Sequence, residues 1–185
     1  GGHYLSEDGG ANFTPSNKGV GVGFSPDPWP EYGQCVHKIA RHKDAPGRLY
    51  MQNHGGFPEL PDAGVLRSDD YGRTWRSISK GLPSDFGFPI LVHPHDADTV
   101  YVMPLEGMTR TCPEGAPAVW RSENGGGSWT RLARGLPKKE SFFTVQRDAM
   151  DIDEHKSPAL YFGTTTGQLW IGRDGGEKWS CLFDS

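Results

Sequence analysis

Arg147 and Asp148 stand side by side in the stretch Gln146-Arg147-Asp148-Ala149-Met150, and they are the pair in this chain with the clearest catalytic chemistry. An arginine can grip a carboxylate through its planar fork of donors. An aspartate can act as acid or base once its surroundings favour the protonated form. The same two residue types also make a plain structural ion pair between packed elements, so both readings stand for Arg147 and Asp148.

A second group surrounds them in the repeat pattern described below. His37 and Phe88 fall at positions equivalent to Asp148, near the start of an apolar run, and Gln52, Asn53 and His54 close another run. His93 and His95, at i and i+2, point to one side of a strand. A zinc ion needs three or four ligands, and spacing supplies no third, so the two histidines read as turn residues, and no metal or cofactor is expected. Asp151 and Asp153 also alternate on one strand face. Carboxylates that cleave a glycosidic bond must stand roughly 5 to 9.5 Å apart, a distance that sequence spacing does not set.

Aromatic residues crowd the segments between runs: Phe24, Trp29, Tyr32, Phe57, Phe86, Phe88, Phe142 and Phe143. Rings of this kind either stack on sugars and partner side chains or plug loops onto the body. Trp29 and Tyr32 join His37, Gln52, Asn53, His54 and Phe88 as candidate ligand-binding residues.

The elements that must position these groups show themselves as a repeat. Ser68, Asp70, Gly72 and Trp75 recur at the same offsets as Ser122, Asn124, Gly126 and Trp129. Asp174, Gly176 and Trp179 form a copy without the serine, and Ser6, Asp8, Gly10 and Phe13 form one with phenylalanine in place of tryptophan. Each residue type has a structural task. The Asp or Asn accepts hydrogen bonds from its own turn, the glycine takes positive φ, and the tryptophan opens the returning strand with a large surface to bury. The copies start at residues 6, 68, 122 and 172. A period of about 50 to 60 residues signals an array or a propeller. The motif resembles the Asp-box, or BNR repeat, of sialidases, xyloglucan-degrading glycosidases and sortilin-type receptors.

Strand signals fill the spaces between boxes. His42, His93 and Asp153 each precede a tyrosine (Tyr50, Tyr101, Tyr161) by eight residues. First strands are expected in "VHKIARH", "FPILVHP" and "DAMDIDE", second strands around the tyrosines, third strands running into the boxes and fourth strands leaving them. The expected fold is therefore all-β: a β-propeller of four-stranded antiparallel blades. Blades are expected over 34–80, 87–134 and 145–185, with a half blade over 1–13, about three and a half in all. Propellers close with roughly four to eight blades. Either the chain is the C-terminal part of a six- or seven-bladed propeller, or a second chain completes the ring, and self-association is expected in the absence of the missing blades.

Blade order also sorts the loops. The boxes and the short turns such as "KDAPGR" lie on one rim. Residues 14–35, 54–63 and 105–117, where length varies, lie on the other. Insertions gathered on one face of a repeat array mark a binding face, so a glycan or protein ligand is expected on the long-loop rim.

Composition bounds the rest. With 26 Gly and 15 Pro in 185 residues and a net charge of −4, the chain suits a turn-rich β protein and lacks the basic footprint of a nucleic-acid binder. No stretch approaches the roughly 18 apolar residues of a membrane span. Cys35, Cys112 and Cys181 are an odd set without close spacing, so no disulfide framework is expected. Three unpaired thiols lean toward a reducing, cytoplasmic compartment.

Beyond the boxes, "YGQCVHKIARH", "LYMQNHGG", "GLPSDFGFPILVHPH", "RDAMDID" and "YFGTTTGQL" give the layout its resemblance to bacterial propellers labelled exo-α-sialidase or BNR-repeat glycosyl hydrolase. That resemblance implies a sialidase-like propeller related to glycoside hydrolases or to carbohydrate binding. Authentic sialidases carry an Arg-Ile-Pro motif, and the nearest string here is Phe88-Pro89-Ile90. Arg67, Arg121 and Arg173 recur beside the boxes as a structural signature rather than as a substrate-gripping triad. Sialidase activity is not expected of this chain alone. Two classes stay open: a carbohydrate-active propeller, and a protein-interaction scaffold like the sortilin-type and photosystem-assembly propellers that share the repeat.

Overall fold

Side chains along a strand alternate between its two faces, and this chain uses both faces. In the computed structural model, which describes residues 1–184, Tyr50 and Val65 face one apolar layer while their neighbours Met51 and Leu66 face another. Ile90 and Leu91 divide in the same way, as do Val100 and Tyr101. A strand buried on both sides reads as a near-continuous apolar run rather than a polar–apolar alternation. That is why "VYVM" and "VL" sit in the middle of sheets.

The strands assemble strictly in chain order. β1 (Tyr4–Leu5) and β2 (Thr14–Pro15) form a hairpin. The first full sheet is β3 (Val36–Arg41), β4 (Leu49–Asn53), β5 (Val65–Ser68) and β6 (Arg76–Ser77). The second is β7 (Gly87–His93), β8 (Asp96–Pro104), β9 (Val119–Ser122) and β10 (Thr130–Leu132). The third is β11 (Met150–Ile152), β12 (Leu160–Gly163), β13 (Leu169–Gly172) and β14 (Lys178–Phe183). All pairings are antiparallel. The protein is a partial β-propeller of three four-stranded blades and a two-stranded half blade. Ser185, the last residue of the unit expected over 145–185, lies outside the described residues.

Packing between blades supplies the core. Tyr50, Val65 and Ile78 of the first blade meet Ile90, Val100 and Val102 of the second. Leu91, Tyr101, Met103 and Leu132 of the second meet Met150, Leu160, Phe162 and Trp179 of the third. Each large apolar side chain so buried contributes about 1.5 to 3 kcal/mol relative to exposure.

A second repeat marks the blade boundaries. Lys18-Gly19, Lys80-Gly81 and Arg134-Gly135 each follow a fourth strand, and the three glycines have φ of 90°, 97° and 98°. The amide of Trp75 donates to the carbonyl of Lys18 at 2.8 Å, and the amide of Trp179 to that of Arg134 at 2.8 Å. Trp129 uses its indole N–H instead, donating to Ile78 O at 2.8 Å. A Cβ on Gly19 or Gly135 would be driven into the carbonyl of Trp75 or Trp179. The linker after β2 therefore docks on the first blade in the way the Arg134-Gly135 linker docks on the third. This places the hairpin as the outer half of a preceding blade. Trp75 and Trp179 are buried under their linkers and Trp129 is half-buried, whereas Phe13 is exposed.

Three of the repeated turns share one hydrogen-bond scheme. The hydroxyls of Ser6, Ser68 and Ser122 accept from the amides of Gly10, Gly72 and Gly126 at 2.7 to 2.8 Å. Oδ1 of Asp8, Asp70 and Asn124 accepts from the amides of Asn12, Thr74 and Ser128 at 2.8 to 2.9 Å. The last turn departs from this scheme because Gly172 offers no hydroxyl. There a one-turn α1 (Arg173–Gly176) carries Asp174 and Gly175 at positive φ, and Asp174 accepts from Ser157 at 3.2 Å.

Candidate functional site

Turn chemistry occupies the whole rim that carries the repeated turns. Arg67 is buried, donates to Asp69 at 2.6 Å and reaches Gly125 O on the next blade at 3.1 Å. Arg121 pairs with Glu177 at 3.0 Å. His42 donates to Pro94 O at 2.9 Å, and His95 to the carbonyls of Glu154 and His155 at 3.2 and 3.0 Å. These side chains, His95 among them, tie one blade to the next.

The opposite rim collects rings and unpaired polar groups. Cys35 sits just before β3 and His54 just after β4, and the His54 amide donates to Cys35 O at 3.0 Å. This continues the pairing of Val36 with Asn53, so Cys35 and His54 face each other across the two strands. Residues opposed in this way project to the same side. The register then slips between Val36 and Lys38, leaving His37 as the extra residue of a β-bulge, a feature that re-aims a side chain. The result brings Cys35 Sγ, one ring nitrogen of His37 and one of His54 within 4.8 Å of one another. His37 Nδ1 lies 2.6 Å from Gly87 O, to which it donates, so Nε2 is the nitrogen left with a free lone pair.

Aromatic rings enclose this trio. His54 stacks on Phe57 with centroids 5.3 Å apart and meets Phe86 edge-on at 5.0 Å. Phe88 lies 4.7 Å from the His37 ring, and the Arg147 guanidinium sits over Phe88 at 5.2 Å. Burial pushes the His37 imidazole down to about 4, against the opposing pull of its bond to Gly87. Burial, and then the charges of Arg110 and Arg147, push His54 in the same direction. Burial thus favours the neutral form of both rings.

Arg147 and Asp148 do not pair with each other in this arrangement. Asp148 accepts from Lys38 at 3.2 Å, and Lys38 also donates to Arg147 O at 3.1 Å, which ties the inner strands of the first and third blades together. With its side chain 91 % exposed, Asp148 is a surface ion-pair partner. It lacks the desolvated setting that a general acid requires.

Gln52 and Asn53 are buried and serve the scaffold rather than a ligand. Gln52 Nε2 donates to the carbonyls of Asn53, Gly64 and Asp85 at 2.9 to 3.2 Å. Asn53 Nδ2 donates to Gly21 O and Ala63 O at 2.9 and 3.1 Å. Asp85, which carried no sequence signal, accepts from the amides of Gly56 and Gly64 at 2.7 and 2.9 Å and clamps the 54–64 loop.

Trp29 and Tyr32 remain open to solvent, at 57 and 63 % exposure. The turn around Trp29 is preset: its amide donates to Asp27 Oδ1 at 2.9 Å, and Gln34 Nε2 donates to Pro30 O at 2.6 Å. Asn17 Nδ2 donates to Glu31 O at 2.9 Å, anchoring the loop to the segment after the hairpin. Between them runs a groove of about 500 Å³, lined by Trp29, Glu31, Asn17, Lys18 and Arg73. Arg73 comes from a repeated turn, so the groove spans the boundary between the two sets of loops that blade order had separated.

The fold places the chain among known propellers. It superimposes on the GH74 xyloglucanase from Xanthomonas campestris with a TM-score of 0.61 at 20 % identity, covering 100 % of this chain and 28 % of that one. The GH74 enzyme of Niastella koreensis gives a TM-score of 0.60 at 17 % identity over 99 % of this chain and 27 % of that one. YCF48 from Cyanidioschyzon merolae gives 0.52 at 16 % identity over 82 % of this chain and 41 % of that one. The chain thus spans less than a third of either of these GH74 proteins. No family model matches it. No curated protein matches it in sequence. At these identities the likeness is one of fold.

Proposed function

We propose that the chain is part of a carbohydrate-binding propeller related to the glycoside hydrolases, and that it receives an oligosaccharide in the Trp29 groove. The observation that carries this reading is the make-up of that groove. An exposed indole is set beside the side chains of Lys18 and Glu31, with Asn17, bonded to Glu31 O, and Arg73, paired with Glu7, completing the wall. A sugar presents an apolar ring face and a rim of hydroxyls, so a ring platform with mixed donors and acceptors is its chemical complement. Several of the fold neighbours are GH74 proteins, one named as a xyloglucanase, which makes neutral β-glucans the first ligands to try. Binding rather than hydrolysis is assigned to these residues, because Asp148 is taken by Lys38. The test is a glycan array probed with the full chain and with Trp29→Ala. Signal on neutral oligosaccharides that disappears in the variant supports the reading. A blank array with folded protein, or a signal that Trp29→Ala leaves intact, overturns it.

A protein-interaction scaffold is the second reading. It is favoured by Met108 and Phe142, large apolar side chains that are 94 and 62 % exposed on the loops around the second blade. A blank array would move the assignment to this class.

A further inference from the structure

Three residues that no sequence spacing joins, Cys35, His37 and His54, meet at the mouth of the first blade with their candidate ligand atoms within 4.8 Å of one another. We propose that this trio binds a single zinc-class ion through Cys35 Sγ, His37 Nε2 and a His54 ring nitrogen, with one coordination position left for water or a ligand oxygen. The inference does not depend on the carbohydrate reading.

The donor set is the first argument. One thiolate and two imidazoles are borderline-soft ligands that suit zinc and its neighbours and not calcium or magnesium. Three protein ligands with an open fourth position are the pattern of reactive zinc centres, whereas closed structural sites use four. Cys35 Sγ, a ring nitrogen of His37 and a ring nitrogen of His54 lie within 4.8 Å of one another. Zn–S of about 2.3 Å and Zn–N of about 2.0 to 2.1 Å in a tetrahedron put ligand atoms about 3.3 to 3.6 Å apart. Binding therefore draws the three ligand atoms together by about 1 Å.

Support around the ligands is the second argument. Metal-bound histidines characteristically donate their other ring N–H to a carbonyl or carboxylate, which sets the tautomer and the ring plane. His37 already does so through Nδ1 and Gly87 O at 2.6 Å. The β-bulge at His37 turns that ring toward Cys35 and His54 rather than leaving it in the regular pleat. Neither the Cys35 thiol nor the His54 ring makes a hydrogen bond among the described residues, so both have lone pairs to give. Phe57, Phe86 and Phe88 wall the site, limiting the side chains' freedom and the access of water. Arg110 and Arg147 are the nearby cations. Their charge opposes the ion and is partly offset by the thiolate, and it favours an oxygen donor carrying negative charge in the fourth position.

The test uses the whole chain, stripped with chelator and titrated with Co²⁺ and Zn²⁺. The expected result is one Co²⁺ per chain with a thiolate-to-cobalt charge-transfer band and tetrahedral d–d bands, displaced by Zn²⁺, and a Tm raised by stoichiometric Zn²⁺. Cys35→Ser should abolish the charge-transfer band, and His54→Gln should weaken binding by more than the roughly 10- to 100-fold typical of losing an outer-shell partner. Cys181→Ser and His95→Gln should change neither. X-ray absorption of the wild-type zinc complex, with one sulfur and two imidazole nitrogens around the ion, keeps the assignment testable if a variant fails to fold. A wild-type protein that is folded and shows no band, or a band that survives Cys35→Ser, overturns the site.

Discussion

Trp179 donates its backbone N–H to the carbonyl of Arg134 at 2.8 Å, so the opening of one blade's outer strand is held by the linker leaving the blade before it. Gly135, next to Arg134, lies flat against the Trp179 backbone at φ 98°. Any Cβ there faces both a left-handed backbone and the Trp179 carbonyl. Gly135→Ala is expected to lower stability by at least about 1 to 2 kcal/mol, the cost of a left-handed L-residue alone. Gly163 has nothing within 4 Å of an added Cβ, so Gly163→Ala should stay within about 0.5 kcal/mol of wild type. Urea unfolding of the two variants checks the contrast, and equal effects would remove the docking role given to Gly135.

The repeated turns predict a pH dependence. Hydrogen bonds from the Thr74 side chain first, and then from the Thr74 amide and Ser68, hold the Asp70 carboxyl down to about 2, against an ordinary value of 3.8. A lowered value in the folded state means that the stabilisation is complete above pH 4 and is lost as pH falls toward 2. Asp70→Ala should cost about 1 to 2 kcal/mol at neutral pH. Asp70→Asn should cost much less and flatten the acid limb, because Asn124 already makes the same amide bond to Ser128 at 2.9 Å in the next blade. An Asp70→Asn protein with an unchanged acid limb would show that this carboxylate is not the titrating group.

Indole burial ranks the tryptophans. Trp179 is 2 % exposed inside the second-to-third blade layer, so Trp179→Ala should cost about 3 to 5 kcal/mol. Its Nε1 is buried without a partner among the described residues, so Trp179→Phe gives up volume but no hydrogen bond and should recover most of that loss. Trp129 is the reverse case: its Nε1 donates to Ile78 O at 2.8 Å, and Trp129→Phe should leave that carbonyl short of a partner. Thermal unfolding of the three variants tests the ranking.

The link between Lys38 and Asp148 joins inner strands of two blades that are not sequence neighbours, yet Asp148 is almost wholly exposed. Exposed pairs are worth about 0 to 1 kcal/mol and are screened by salt. Asp148→Asn should therefore change stability by less than about 1 kcal/mol, with the difference shrinking as salt rises. A loss of several kcal/mol would mean that the bridge holds the arc in shape.

Strand order and the repeated turns were legible because both are local. A serine, an aspartate or asparagine, a glycine and a tryptophan at fixed offsets dictate one turn and the two strands beside it. The Lys/Arg-Gly pairs ending at Gly19, Gly81 and Gly135 are equally regular in the chain. They pass unnoticed there because each does its work against a tryptophan some 50 residues downstream. The place of Gln52 and Asn53 at a strand end suggests ligand-facing side chains, but burial makes them clamps for neighbouring carbonyls. Cys35 carried no signal as one of three scattered cysteines. Its partner His54 lies across a hairpin, and only the register between β3 and β4, with the bulge at His37, brings the three together. A regular hairpin in the register that pairs Arg41 with Leu49 would set Val36 opposite His54, so the bulge at His37 is what brings Cys35 there.

The most direct measurement of the central claim is isothermal titration calorimetry of the full chain with the best neutral oligosaccharide from the array, alongside Trp29→Ala. Saturable binding to wild type, with the variant weaker by about 2 kcal/mol, on the order of 30-fold, is the result expected of an aromatic anchor. A Trp29→Ala protein that is folded and binds the same sugar with wild-type affinity would contradict the assignment of the Trp29 groove as the carbohydrate site.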